Sequence, residues 1–72
     1  MKITILKTNP NNTDLTPLTF QEIGVVLLIN FMQEIGICTL DSLHTNSASS
    51  KEETAEIVES LISKEFVVQE VI

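Results

Sequence analysis

Residues 49–71, SSKEETAEIVESLISKEFVVQEV, form the stretch against which the rest of the chain is expected to pack. Ser50 is followed three residues later by Glu53, a capping box that specifies the start of a helix. At about 100° per residue, the polar and apolar side chains that follow separate onto opposite halves of that helix. We therefore expect an amphipathic helix over residues 50–64 that lies on a core. Its apolar half contains Thr54, Ala55, Ile57, Val58, Leu61 and Ile62.

Two short segments at opposite ends of the chain have the composition of β-strands. Residues 66–72 read FVVQEVI, which is β-branched and aromatic without glycine or proline. Residues 1–8 contain KITILK, with Ile3 and Ile5 on the same face. A lone strand leaves its backbone groups unpaired, so the two segments are expected to pair, either within one chain or between two chains.

The predicted first helix covers residues 19–36 and follows a loop at residues 9–18 that is rich in proline and asparagine. Thr19 and Glu22 form its capping box, and Gly36 ends it. Its polar residues occupy only about a third of the circumference, which leaves more apolar surface than one facing helix covers. The apolar run is too short and too interrupted to span a membrane, which takes about 20 apolar residues.

A third, short helix is predicted over residues 39–45, because Thr39 can cap it and Leu40 and Leu43 share a face. The predicted order is therefore strand, three helices, strand. We expect a single domain over residues 1–72 with an α+β, mainly α fold.

Composition limits the classes of partner. Ten acidic residues against four lysines give a net charge of -6, which disfavours strong nonspecific binding to phosphate or to anionic lipid. The single Cys38 cannot form an intramolecular disulfide, and together with the lack of an export signal it favours the reducing cytoplasm.

No pattern in the sequence predicts a catalytic, cofactor or metal site. His44 has no second histidine or cysteine at ligand spacing, and Cys38 has no neighbouring base that would lower its pKa. The only glycines are Gly24 and Gly36, too few for a phosphate-binding loop. We therefore predict a protein that is not an enzyme.

Residues 39–68 carry a pattern similar to the helix-turn-helix core of winged-helix domains: a capped short helix, a polar turn, a second helix and then KEFVV. Within that class the chain resembles the N-terminal domain of DnaD-type primosomal replication proteins over residues 15–70. The shared features are the apolar helix LTFQEIGVVLLINFMQEIG at 18–36, the S-x-E-E start at 50–53, and KEFVVQE at 64–70, which resembles the family's K-G-F-x-x-x-E.

This resemblance implies a winged-helix-like fold and a self-association module in DNA replication or its control, including plasmid or phage replication. The sequence departs from the pattern at Glu65, where winged helices usually carry glycine. It also reaches Ile72 without a strand that returns after the wing, so we expect a short or absent wing. Residues 3–6 are then the candidate replacement for that strand.

Two surfaces are the predicted interaction sites. The predicted acidic, partner-facing surface of the last helix comprises Lys51, Glu52, Glu53, Glu56, Glu59 and Ser60. The predicted self-association surface, which forms a dimer or larger homo-oligomer, comprises Ile3, Ile5, Val25, Ile29 and Met32. Two alternatives stay open at this point: a dimeric helix-turn-helix regulator that binds DNA, and a small acidic inhibitor or DNA mimic that fills a basic groove on another protein.

Overall fold

The computed structural model describes residues 2–72 and confirms the predicted α+β, mainly α fold. Each helix begins one residue after its capping residue, which keeps an extended backbone. The elements in chain order are strand β1 (Thr4–Thr8), helices α1 (Phe20–Ile35), α2 (Leu40–Thr45) and α3 (Lys51–Ser63), and strand β2 (Val67–Val71).

The two strands form an antiparallel pair within one chain, which decides between the two pairings left open above. Ile3 and Ile72 exchange both backbone hydrogen bonds, at 2.8 and 2.9 Å between nitrogen and oxygen. On the other edge of β1, the Leu6 amide donates to the Cys38 carbonyl at 2.8 Å. β1 therefore lies between β2 and the segment before α2.

The core lies between the sheet and the three helices, and it contains the residues predicted from the amphipathic pattern of α3. Thr54, Val58 and Leu61 are buried on its inner face, whereas Glu56 is exposed. Cys38 is also fully buried, as expected for a small core residue, and burial raises the pKa of its thiol. The largest fully buried side chains are Leu6, Ile29, Leu43, Leu61 and Val67.

The turn from α3 into β2 is a Schellman motif that contains glutamate instead of glycine. The Phe66 amide donates to the Leu61 carbonyl at 2.9 Å, and the Glu65 amide donates to the Ile62 carbonyl at 3.0 Å. Phe66 and Leu61 are both buried in the core, which supplies the apolar contact typical of this motif. Glu65 has a φ of 67°, in the left-handed region that favours glycine.

The proline- and asparagine-rich loop is attached to the same turn. The Asn9 side-chain amide donates to the Glu65 carbonyl at 2.9 Å, and the Asn12 side-chain amide donates to the Lys64 carbonyl at 3.2 Å. These bonds satisfy carbonyl groups at the end of α3 that have no partner inside the helix. None of the helices within residues 2–72 combines the length and the apolar composition that a membrane span requires.

Candidate interaction surface

A stripe of apolar residues runs along the outward face of α1, beside the exposed polar residues Gln21, Asn30 and Glu34. We call it the outer stripe and define it as Phe20, Gly24, Leu27, Phe31 and Ile35, which succeed one another at spacings of three or four residues. Phe20 is 92% exposed and Ile35 is 71% exposed. Leu27 and Phe31 are each more than half exposed.

The outer stripe is comparable to the largest apolar patch on a typical monomer. At about 200 Å² for a fully exposed large residue, its four large side chains present roughly 500 Å² of apolar surface. The largest apolar patch on a typical monomer covers about 300–600 Å² and is often functional. The outer stripe lies near the top of that range, and it is therefore the principal candidate for a contact with another chain.

The predicted self-association surface is largely wrong in its choice of residues. Ile29 is fully buried, Met32 and Ile5 are also buried, and Val25 is partly buried against the core of the same chain. These side chains are unavailable to a second chain. Only Ile3, which is 44% exposed, lies on a free surface.

The error has a physical cause, because two polar residues of α1 point inward. Glu22 is buried, and the Gln33 side chain bonds both to the Thr8 amide and to the Thr8 hydroxyl, each at 2.9 Å. With these polar groups facing the rest of the chain, apolar side chains such as Leu27 and Phe31 face solvent. The broad apolar arc was predicted, but the predicted self-association surface included none of the five residues of the outer stripe, because a wheel of one helix does not show where polar partners lie.

Glu22 is the centre of a polar cluster between α1 and α3. Its carboxylate accepts a hydrogen bond from the Ser60 hydroxyl at 2.6 Å and bonds from the Lys64 ammonium at 2.9 and 3.0 Å. The Thr19 amide also donates to it, at 2.9 Å. The hydrogen bond from Ser60, followed by those from Thr19 and Lys64, lowers the pKa of Glu22 to about 2. This cluster fixes the rotation of α1 on α3.

The predicted acidic surface of α3 is only partly exposed to a partner. Ser60 donates to Glu22 and so belongs to the interior cluster, whereas Lys51 is 3.2 Å from Asp41 of α2. The remaining members form an exposed acidic row on the outer side of α3, and they are Glu52, Glu53, Glu56 and Glu59.

The lysines of the chain are largely engaged with carboxylates. Lys7 lies 2.9 Å from Glu70, Lys51 lies near Asp41, and Lys64 lies 2.9 Å from the buried Glu22. Within residues 2–72, three of the four lysines are therefore ion-paired. A nucleic-acid phosphate would have to compete with these carboxylates, which weakens the electrostatic term on which nucleic-acid affinity depends.

His44, the residue considered as a metal ligand, takes part in a local contact within a turn. Nδ1 of His44 lies 3.1 Å from the Ser49 carbonyl oxygen, within the turn between α2 and α3. Across the described part of the chain, no group of three or more histidine, cysteine, aspartate or glutamate side chains is placed to hold a metal ion.

Comparison of the chain with protein families, with curated proteins and with solved structures gave no match.

Proposed function

We propose that this chain is a self-association and protein-interaction module without enzymatic activity, and that the outer stripe of α1 binds a second copy of the chain. The main support for this proposal is the roughly 500 Å² of exposed apolar surface on one face of α1. Two copies joined through it would bury about 1,000 Å² in total, the size at which specific interfaces begin. The proposed place in DNA replication or its control comes from the resemblance to DnaD-type domains.

The order of side chains on the outer stripe suits an antiparallel pair of α1 helices related by a twofold axis. With the axis between Leu27 and Leu28, Phe20 faces Ile35 of the partner and Gly24 faces Phe31 of the partner. A small residue thus lies opposite a large one once on each side of the twofold axis. A Cβ placed on Gly24 meets nothing within 4 Å in a single chain, so the space above it is free to receive an aromatic ring.

The charges of α1 are compatible with this arrangement. Glu34 of one copy lies opposite Gln21 of the other, so the pairing brings no two carboxylates of α1 face to face. The exposed acidic row belongs to α3, on a different helix from the interface. In the proposed dimer this row stays available to a basic protein partner. The engaged lysines support protein contacts over the alternative of a DNA-binding regulator.

Sedimentation equilibrium over a range of concentrations up to about 100 μM tests the proposal, since a micromolar dissociation constant gives mostly dimer there. We expect the unmodified chain to be dimeric and the double variant Phe20→Ser, Phe31→Ser to be monomeric and folded, because both side chains are exposed. Ile3→Ser, on the sheet, is the matched control and should remain dimeric. A monomeric unmodified chain at this concentration would refute self-association.

A second variant separates loss of the interface from loss of apolar surface. Gly24→Gln fills the space opposite the partner's Phe31 while retaining every apolar side chain of the outer stripe. It should also make the monomer more stable by about 0.5–1 kcal/mol, because glycine is the weaker helix former. We expect a more stable chain that no longer dimerises. A stable dimer of Gly24→Gln would contradict the antiparallel arrangement.

A further inference from the structure

The outer edge of β2 presents unpaired backbone groups in a regular array. Ile3 and Ile72 form a hydrogen-bonded pair, so the alternation of an antiparallel ladder directs residues 66, 68, 70 and 72 toward β1. Val67 is only 1% exposed, so its outward groups are not accessible to another strand. Gln69 and Val71 are exposed and direct their amide and carbonyl groups away from β1. Within residues 2–72 these groups have no hydrogen-bond partner.

The opposite edge of the sheet is closed. On β1 the Leu6 amide is bound to the Cys38 carbonyl, and the Thr8 amide donates to the Gln33 side-chain oxygen at 2.9 Å. Residues 66–72 contain no proline and no lysine, two of the usual protections of a free edge. The two edges of this small sheet therefore differ, and only that of β2 can accept another strand.

We propose that the edge of β2 binds an extended segment of another protein that carries lysine or arginine, by adding it as a third, antiparallel strand. The side chains on one face of the sheet define the segment. Glu70 is exposed beside the position of an incoming residue, and because Lys7 binds its Oε2 at 2.9 Å, its Oε1 is the atom left for an incoming cation. Val68, 44% exposed, offers an apolar contact two residues away. The segment thus carries a cation opposite Glu70 and an apolar residue opposite Val68.

A second copy of β2 fits this edge less well than a basic segment does. A twofold pairing centred on Gln69 places Glu70 opposite Val68 twice, so neither carboxylate meets a cation and neither valine meets an apolar side chain. It would also bring together two chains that each carry a net charge of -6. Charge complementarity therefore selects a basic partner.

A blocked heptapeptide, Ala-Val-Lys-Thr-Val-Thr-Ala, is a suitable probe, because its lysine falls opposite Glu70 and its second valine falls opposite Val68. The matched control peptide replaces that lysine with glutamate. We expect the lysine peptide to bind at least about tenfold more tightly at low salt, and amide hydrogen exchange to slow at Gln69 and Val71. Equal binding of the two peptides, protection confined to α1 or α3, or no binding at about 1 mM would overturn the proposal.

Two variants locate the site on the edge. Gln69→Pro removes an outward amide that has no partner within the sheet, so the fold should persist while peptide affinity falls about tenfold. Gln69→Thr retains the amide and should bind like the unmodified chain. The Phe20→Ser, Phe31→Ser variant should bind the peptide like the unmodified chain, whether or not it dimerises. The reason is that α1 packs on β1, whereas the proposed peptide site is the edge of β2. If Gln69→Pro instead abolished dimerisation, the occupant would be a second copy and the proposal would be wrong.

Discussion

Glu65 occupies a backbone conformation that costs free energy for any residue with a side chain. At a φ of 67° an L-residue has its Cβ close to the following carbonyl oxygen, which costs about 1–2 kcal/mol relative to the right-handed region. Glycine does not incur this cost, but it makes the unfolded chain more flexible, which lowers the free energy of unfolding by about 0.4–1 kcal/mol. Glu65→Gly should therefore raise the free energy of unfolding by roughly 0.5–1 kcal/mol.

Urea unfolding followed by circular dichroism measures this difference, and a domain of this size should gain about 3–6 °C in its thermal midpoint. Glu65→Ala keeps the unfavourable φ and should leave stability nearly unchanged. Glu59→Gly, at an exposed site in the middle of α3, should lower stability by about 1 kcal/mol. If Glu65→Gly were no more stable than Glu65→Ala, the left-handed conformation of this turn would be refuted.

Four further outcomes follow from the fold. Leu61→Ala should cost about 2–5 kcal/mol and largely unfold the chain, whereas Glu56→Ala should change the urea midpoint little. The pKa of Glu22 is lower in the folded chain than in the unfolded chain, so its contribution to the free energy of unfolding is complete above about pH 4.5 and is lost as the pH falls toward 2. Glu22→Gln should therefore flatten the pH dependence of the urea midpoint over that window. A chain lacking residues 1–8 should give the circular dichroism of a poorly folded protein, and a folded monomer would contradict the intramolecular sheet. Titration with duplex DNA at about 0.15 M salt should show affinity no better than the nonspecific 10⁻⁴ to 10⁻⁶ M, and a nanomolar sequence-selective complex would reverse the preference for protein contacts.

The sequence allowed prediction of features that are determined by neighbouring residues. The Thr19 and Glu22 capping box is complete, and the Ser50 hydroxyl accepts from the Glu53 amide at 3.1 Å, although there the reciprocal bond from the Glu53 side chain is not formed. The inward face of α3 was also predicted correctly. Each of these features depends on residues within a few positions of one another along one helix.

Features that depend on distant residues were not predictable in the same way. The Ser60 hydroxyl that orients Glu22 lies 38 positions along the chain, and β1 pairs with residues more than 55 positions away. The sequence therefore left the pairing of the strands open between one chain and two. It also assigned Ile29 and Met32 to a contact with a second chain, although both lie in the core.

The cluster around Glu22 connects the interior of the domain to the surface proposed for self-association. Rotating α1 to bury Phe31 would remove the carboxylate from Ser60 and Lys64, and a buried carboxylate without its donors is strongly destabilising. The single chain is therefore held with Leu27 and Phe31 directed outward. Glu22 thus supports the proposed interface without being part of it, because its bonds hold α1 in a rotation that leaves the outer stripe available to a second copy.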